Sequence, residues 1–442
     1  MPRRNIAWLF IAIVVCLVCY QKAPSNRYGR ALAGAMDYVS RRYYMPVDDR
    51  ELFEGAMEGM IGRLDKNSAY IPVAEKQEFQ EDVTKQFGGV GINVVLDSKN
   101  KQLTVVAAIP GTPAIEAGIR PGDRIVKIDG HSTQGMSLAD AVERMHGKPN
   151  TPVTLAIVHA GGSRPVELTL MRRVIEEETV EGAARNPDGS WDFRLADHPA
   201  IGVLHITGFA EAEKSDEAGN QAKTTVADLK QAIDGLRRRR LDGLVLDLRD
   251  NRGGSLRAAI DVCDLFIRKG VIVTTRGRDG RILRSFQATK TAPYTDFPVA
   301  VIVNQNSASA AEIVAACLQD HHRAVVVGQR SFGKGTVQEV TDMGDPLGAL
   351  KLTIATYWRP SGQNIHRSKD DAKDATWGVT PDEGYQVIVD EQEQMRLERW
   401  QIERELTGPG FANGAAAAND SKGPLDRPLA KAVEYLEKAG KK

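Results

Sequence analysis

Ser309 and Lys334 are the residues of this sequence whose types and surroundings could do covalent chemistry. They lie in the stretch VAVIVNQNSASAAEIVAACLQDHHRAVVVGQRSFGKGTVQ, from Val299 to Gln338. A serine at the mouth of a helix sits beside unpaired backbone N–H groups, which can hold an oxyanion. A lysine between two glycines can bring its amine close to such a hydroxyl. A desolvated, neutral amine can then take the hydroxyl proton in place of a histidine. The implied chemistry is attack on a carbonyl, with Ser309 as nucleophile and Lys334 as general base. Other assignments stand beside it. Ser309 and Glu312 spell S-x-x-E, a capping box that only starts a helix. Ser307 is a second hydroxyl at the same turn. Gly328 to Lys334 spells GxxxxGK, close to a phosphate loop. There, however, Gly335 replaces the required Ser or Thr, and TVQEVTDMG alternates like a strand and opens no helix. A Ser-His-Asp arrangement is disfavoured, because His321 and His322 come at the far end of the helix, about 18 Å along at 1.5 Å per residue.

Several elements must position these groups. The β-branched run from Val299 to Val303 reads as a strand, the Ala-rich run after Ser309 as a helix, and Ala324 to Val327 as a strand leading into the lysine loop. TTVADLKQAIDGLRRRR reads as an amphipathic helix, and LDGLVLDLRDNRGGSLRAAIDVCDLF as strand, loop and helix. This alternation predicts an α/β core with parallel strands and short crossovers over residues 173–390. ARNPDGSWDFRLADHPA predicts a hairpin insertion around Asp188-Gly189. Residues 25–86 read helical, with apolar positions recurring at three and four. Residues 87–172 change to short strands, Gly-Pro turns and a second helix in SLADAVERMHG. Residues 391–442 read as a charged helix, a low-complexity linker and a short terminal helix. The expected fold class is α/β multidomain, with an N-terminal helical region, a β-rich domain and an α/β core.

The chain has 442 residues, room for two or three domains, and its 42% hydrophobic and 26% charged residues are those of a globular protein. The formal net charge is zero, and nothing points to nucleic acid as a partner. The run Arg237 to Arg240 reads as a solvated helix end. Arg3 and Arg4 precede a short apolar run, Ile6 to Tyr20, which reads as a secretory signal or signal anchor. With no A-x-A site, an uncleaved anchor is the expectation, and the rest of the chain is expected outside the cytoplasm, in the periplasm or anchored to the inner membrane. Cys16 and Cys19 lie in that run without the small preceding residue of a lipoprotein signal. Cys263 and Cys317 are expected as buried free thiols. No Cys/His cluster has metal-ligand spacing, and no metal or cofactor is implied.

The run NQNSASAAEIVAACLQDHHRAVVVGQRSFGKGTVQ resembles the active-site segment of the carboxyl-terminal processing peptidases, or tail-specific proteases, which read SASASE and then G-K-G-[ST]-x-Q. Ala311 stands where the family often has a third serine. LDLRDNRGG resembles the family's LDLRxNPGG, with Arg252 in place of proline. LDKNSAY resembles its LDPxS turn, with Lys66 in place of proline. TVVAAIPGTPAIEAGIRPGDRIVKIDGHST has the shape of a PDZ domain. The resemblance covers roughly residues 28–390 and the terminal helix. It implies a serine endopeptidase with Ser309 as nucleophile, Lys334 as base and Gln338 orienting the lysine. Phe332 and the strand Val325 to Val327 would give the amine an apolar setting. The oxyanion would be held by the Ala310 N–H together with Gly253 or Gly254. The PDZ domain implies capture of substrates with a free C-terminus by an added strand, with the loop Gly89, Val90, Gly91 and Ile92 on the carboxylate. Arg172 would contact the protease core and give regulation; the alternative is an ordinary solvated arginine. A rival from another class is a catalytically inactive PDZ scaffold on the same fold. Substrate and oligomeric state stay open.

Overall fold

The structure is a computed structural model that describes residues 26–76, 86–97, 101–109, 111–176, 178–186, 190–211, 224–368, 375–397 and 424–440, with positions 8, 79 and 400. Most of the apolar run near the N-terminus with Cys16 and Cys19, the turn at Asp188-Gly189, and most of the charged helix and linker after 397 lie outside these residues. Among the described residues no helix is long and apolar enough to cross a membrane.

Four parallel strands form the core: Ile201–Ile206, Gly243–Asp247, Val299–Val303 and Ala324–Gly328. They are adjacent in that order, with Val180–Glu181 antiparallel at the first edge. The two central strands are buried at every residue, as parallel strands covered on both faces must be. Period-two alternation sorts their side chains between two cores. Leu244, Leu246, Val301 and Val326 pack with helices Thr225–Arg237, Leu256–Asp264 and Ala310–Asp320. Val245, Ala300, Ile302 and Val327 pack with Ala432, Val433 and Leu436 of the terminal helix Arg427–Ala439. Thr224, Ser255 and Asp426 cap their helices by accepting backbone N–H bonds from Ala227, Ala258 and Leu429. These are the side chains that make good N-caps. Arg238 to Arg240 are exposed at the end of helix Thr225–Arg237. Ala184–Arg185 pairs antiparallel with Trp191–Asp192, so the strands of the expected hairpin are present.

The β-rich segment is a sheet in the order Ile92–Leu96, Leu103–Ala108, Arg124–Ile128, Pro152–Val158 and Val166–Met171, with helices Pro113–Glu116 and Leu138–Met145. Ile92–Leu96 is an edge strand. Gln86–Gly89 and Arg173–Glu176, where the chain enters and leaves this segment, pair antiparallel.

The chain divides into two units. One comprises Met1–Ala74 and Glu339–Leu352, the other Glu75–Gln338 and Thr353–Lys442. In the first, helices Arg27–Arg42 and Asp49–Ile61 are followed by strand Ala69–Ile71, whose Ala69 lies opposite Lys351. The N-terminal region is therefore not purely helical, and 339–352, inside the span expected for the catalytic core, groups with it.

Candidate active site

Strand Val299–Val303 ends in a turn that delivers Ser309 to the start of helix Ala310–Asp320. Ser309 is partly buried, with φ 57° and ψ −115°. Side chains other than glycine pay about 1–3 kcal/mol for such a conformation, which is found where surroundings over-determine it. The neighbouring hydroxyl resolves differently. Ser307 is fully buried, and its Oγ donates to the Leu248 carbonyl at 2.7 Å and accepts from the Asn304 N–H at 2.9 Å. Ser307 is committed to holding the turn, which leaves Ser309 as the serine at the helix mouth.

Glu312 joins this turn to the lysine loop. It is fully buried and accepts four hydrogen bonds. Its Oε2 takes the backbone N–H of Ser309 at 2.9 Å and that of Lys334 at 2.8 Å. Its Oε1 takes the Ser331 hydroxyl at 2.5 Å and the Gly333 N–H at 2.7 Å. The two backbone nitrogens of Ser309 and Lys334 thus lie within two hydrogen-bond lengths of each other. Burial pushes the Glu312 carboxyl above its usual range, against the pull of its four donors. Sequence reasoning read Glu312 only as a capping residue. The signal available was a glutamate in the first turn of a helix that is otherwise apolar from Ala310 to Leu318.

Lys334 is partly buried between the fully covered Gly333 and Gly335. A Cβ at Gly335 would stand 2.2 Å from the His366 backbone nitrogen, so a glycine is required for the loop to pass that segment. The Arg367 N–H bonds the Gly333 carbonyl, and the Tyr357 N–H bonds the Gly335 carbonyl. Phe332, the residue two before Lys334, is 41% exposed. The carboxamide nitrogen of Gln338 donates to the Thr336 and Thr353 hydroxyls at 2.8 and 3.2 Å, which fixes the orientation of that side chain. Beyond the lysine the chain continues as strand Thr336–Asp342, and no helix N-terminus is present there to hold a phosphate. His321 lies at the far end of the nucleophile helix, with Nε2 on the Val271 carbonyl at 2.7 Å.

The glycine loop meets the nucleophile. A Cβ at Gly253 would lie 2.8 Å from the Ser309 Cβ, which explains a glycine there. The Gly253 N–H, however, donates to the Asn251 side chain at 2.8 Å. Gly254 forms a parallel bridge with Phe209, made by the Phe209 and Ser255 N–H groups, and its own N–H points away from that partner. Of the two glycines, Gly253 thus has its N–H committed to the Asn251 side chain, and the N–H of Gly254 is turned away from Phe209. Ala310 is the first helical residue, whose N–H has no intrahelical acceptor.

In the β-rich segment, the carbonyls of Val90 and Gly91 are bonded by the N–H groups of Ala114 and Ile109, which fixes the loop Gly89 to Ile92. Ile92, Val94 and Leu96 of the edge strand, with Val142 of helix Leu138–Met145, are partly buried. Arg172 is buried, and among the described residues its side chain bonds only within the β-rich segment. Its guanidinium donates to the carbonyls of Arg144, Met145 and Pro152 and to the Thr151 hydroxyl, all within the β-rich segment. Cys263 and Cys317 are free and fully buried, and burial pushes the Cys263 thiol well up.

The chain is similar to known proteins. Residues 200–384 match peptidase family S41, and residues 104–158 match the PDZ domain. The chain is 37% identical over 371 residues to the carboxy-terminal-processing protease of Bartonella bacilliformis, covering 80% of this chain and 77% of that protein. It is 35% identical over 347 residues to the carboxyl-terminal-processing protease of Synechocystis, covering 78% and 73%. Among solved structures, the photosystem II D1 C-terminal processing protease is 26% identical, with 87% of this chain and 97% of that one covered and a TM-score of 0.45.

Proposed function

The chain belongs to peptidase family S41, among the serine-type carboxy-terminal-processing proteases that carry a PDZ domain, and on that premise we propose a Ser-Lys mechanism for it. The Ser309 Oγ attacks a peptide carbonyl while its proton passes to the neutral Nζ of Lys334. The carbonyl oxygen becomes an oxyanion between the N–H groups of Ala310 and Gly254. The protonated lysine then gives its proton to the leaving amine, and water repeats the sequence on the acyl-enzyme. Gln338 orients the amine without adding a charge that would favour ammonium. The substrate's C-terminal tail pairs with the edge strand Ile92–Leu96, with its carboxylate at the loop Gly89 to Ile92. The protein works outside the cytoplasm, held by its N-terminal apolar run.

One observation carries this reading: a single carboxylate oxygen of Glu312 accepts from the backbone of both Ser309 and Lys334. The test combines a serine-directed covalent probe with peptide cleavage. Wild type should be labelled, and Ser309→Ala should lose both label and cleavage, on the order of 10⁶ in turnover. Lys334→Arg should be inactive despite its charge, because a guanidinium keeps its proton near neutral pH. Cleavage by Ser309→Ala, or near-normal activity in Lys334→Arg, would overturn the dyad.

A further inference from the structure

We propose that the terminal helix is part of the active site, because the ion pair between Asp426 and Arg249 positions the loop that carries Gly254. This rests on the reading of Gly254 and Ala310 as oxyanion donors. Arg249 follows strand Gly243–Asp247 and begins the loop. Its guanidinium donates to both oxygens of Asp426, at 3.1 and 2.8 Å, and also to Asp247. The side chains of Arg249, Asp247 and Asp426 are 17%, 7% and 16% exposed, so solvent screens the pair little. Asp426 is itself fixed, because it caps the terminal helix through the Leu429 N–H at 3.0 Å.

From Arg249 the loop is stitched onward to the nucleophile turn. The Asp250 N–H donates to the Asn304 side chain at 3.0 Å, and the Asp250 carboxylate accepts from the Asn304 and Asn306 amides. The Ala308 N–H donates to the Asn251 carbonyl at 2.9 Å. The Asn251 amide also reaches the Ile206 carbonyl at 2.6 Å, and Gly253 packs on Ser309. The loop is thus held from one side by the nucleophile turn and from the other by the terminal helix. An arginine that lost Asp426 would keep Asp247, on its own strand, but nothing would fix it against the helix. The Gly254 N–H would then be free to drift from the place where the oxyanion forms. Asp426 is accordingly a positioning residue, acting through Arg249.

Asp426→Asn in the full chain separates the two roles of this side chain. Asparagine caps a helix about as well as aspartate. Its amide nitrogen, however, would face the guanidinium with a second donor. The expected result is a fall in kcat of about tenfold, smaller than the ~10²–10³ of deleting an oxyanion donor, with KM within about twofold. A peptide aldehyde places its hemiacetal oxyanion in the same hole, so its affinity should fall by the same factor as kcat/KM. Asp426→Glu, which restores the charge, should recover part of the loss. Leu436→Ala loosens the same helix at its far end without touching the pair, and should lower Tm while leaving kcat within about twofold. Unchanged kcat in Asp426→Asn, a loss confined to KM, unaltered aldehyde affinity or an equal kcat loss in Leu436→Ala would each overturn the proposal. So would collapse of Tm in Asp426→Asn, since the cap is kept. Ser309→Ala run alongside keeps the outcomes distinct: cleavage by that variant defeats the dyad, whereas a dead Ser309→Ala beside a fully active Asp426→Asn defeats only the role of the helix.

Discussion

At Ser309 stability and chemistry pull in opposite directions. Its φ of 57° and ψ of −115° suit glycine, and the turn holds a serine there through Glu312, Ser307 and the packing of Gly253. Ser309→Gly should relieve the strain and raise stability by about 1 kcal/mol, while abolishing cleavage. Ser309→Ala should be equally inactive without that gain. Thermal melts of the three proteins decide it: Ser309→Gly melting no higher than Ser309→Ala would mean the backbone is not strained. Glu312 is the second residue whose loss should matter beyond its own contacts. All four of its partners are donors. Glu312→Gln offers them one acceptor oxygen and an NH₂ that opposes the rest. A buried donor left unpaired costs about 1–3 kcal/mol, so the variant should lose on the order of 3 kcal/mol and at least 100-fold in kcat. Denaturant titration and initial rates check both, and a fully stable, fully active Glu312→Gln would show that the carboxylate does not bind the two loops together.

The elements that carry the chemistry were legible because their signals are local. β-branched runs, an Ala-rich helix after a capping serine and glycines around a lysine each sit within a few residues, and each became the expected strand, helix or loop. What fixes those elements to one another was not legible. Glu312 meets Gly333 and Lys334 across an intervening helix and strand, Gly335 needs the backbone at His366, and Arg249 needs Asp426. Alternation shows that a strand has two faces but not which distant segment covers each. The short strand Ala69–Ile71 was hidden for the same reason, its partner being the distant strand Ala349–Trp358. His205 shows such a junction at work. Nδ1 faces Glu181 at 3.3 Å and Nε2 the Arg249 carbonyl at 3.2 Å, so both nitrogens are suited to donate. Burial alone would lower its pKa, but Glu181, Asp247 and the Arg249 carbonyl outweigh that and raise it to about 9. The folded value lies above the ~6.5 of an unfolded histidine. Its contribution to stability is therefore complete below about pH 6.5 and is lost as pH rises through 9. The side chain is 35% exposed, so screening moderates the effect. Tm of wild type should exceed that of His205→Gln at pH 6, and the gap should close by about pH 10; a gap constant with pH would rule out the imidazolium.

Across the whole molecule, the proposed function has the PDZ domain and the protease core act on one substrate, and Arg172, the residue expected to connect them, makes its side-chain bonds to residues 144–152. Arg172 holds the C-terminal carbonyls of helix Leu138–Met145, and the next residue, Arg173, begins the strand that leaves the domain. That helix and the edge strand Ile92–Leu96 are the two walls between which a tail would lie. A tail that moves the helix would pull on Arg172 and so on the exit strand, which pairs with the entry strand Gln86–Gly89. The occupied PDZ domain would then favour an arrangement in which the Ser309 and Lys334 side chains are aligned. A ligand biases such an equilibrium only by its differential affinity for the two states, and a tenfold bias needs about 1.4 kcal/mol. The prediction is that a peptide with a free apolar C-terminus is cleaved about tenfold faster than its amidated twin, in kcat as well as in KM. Arg172→Ala should reduce that ratio to less than about twofold while leaving the amidated rate unchanged, because the carbonyls it holds would no longer carry the movement of the helix. Equal cleavage of the two peptides by wild type would remove the tail from the regulation altogether. A ratio kept at tenfold in Arg172→Ala would leave the tail in place but route its effect through some other contact.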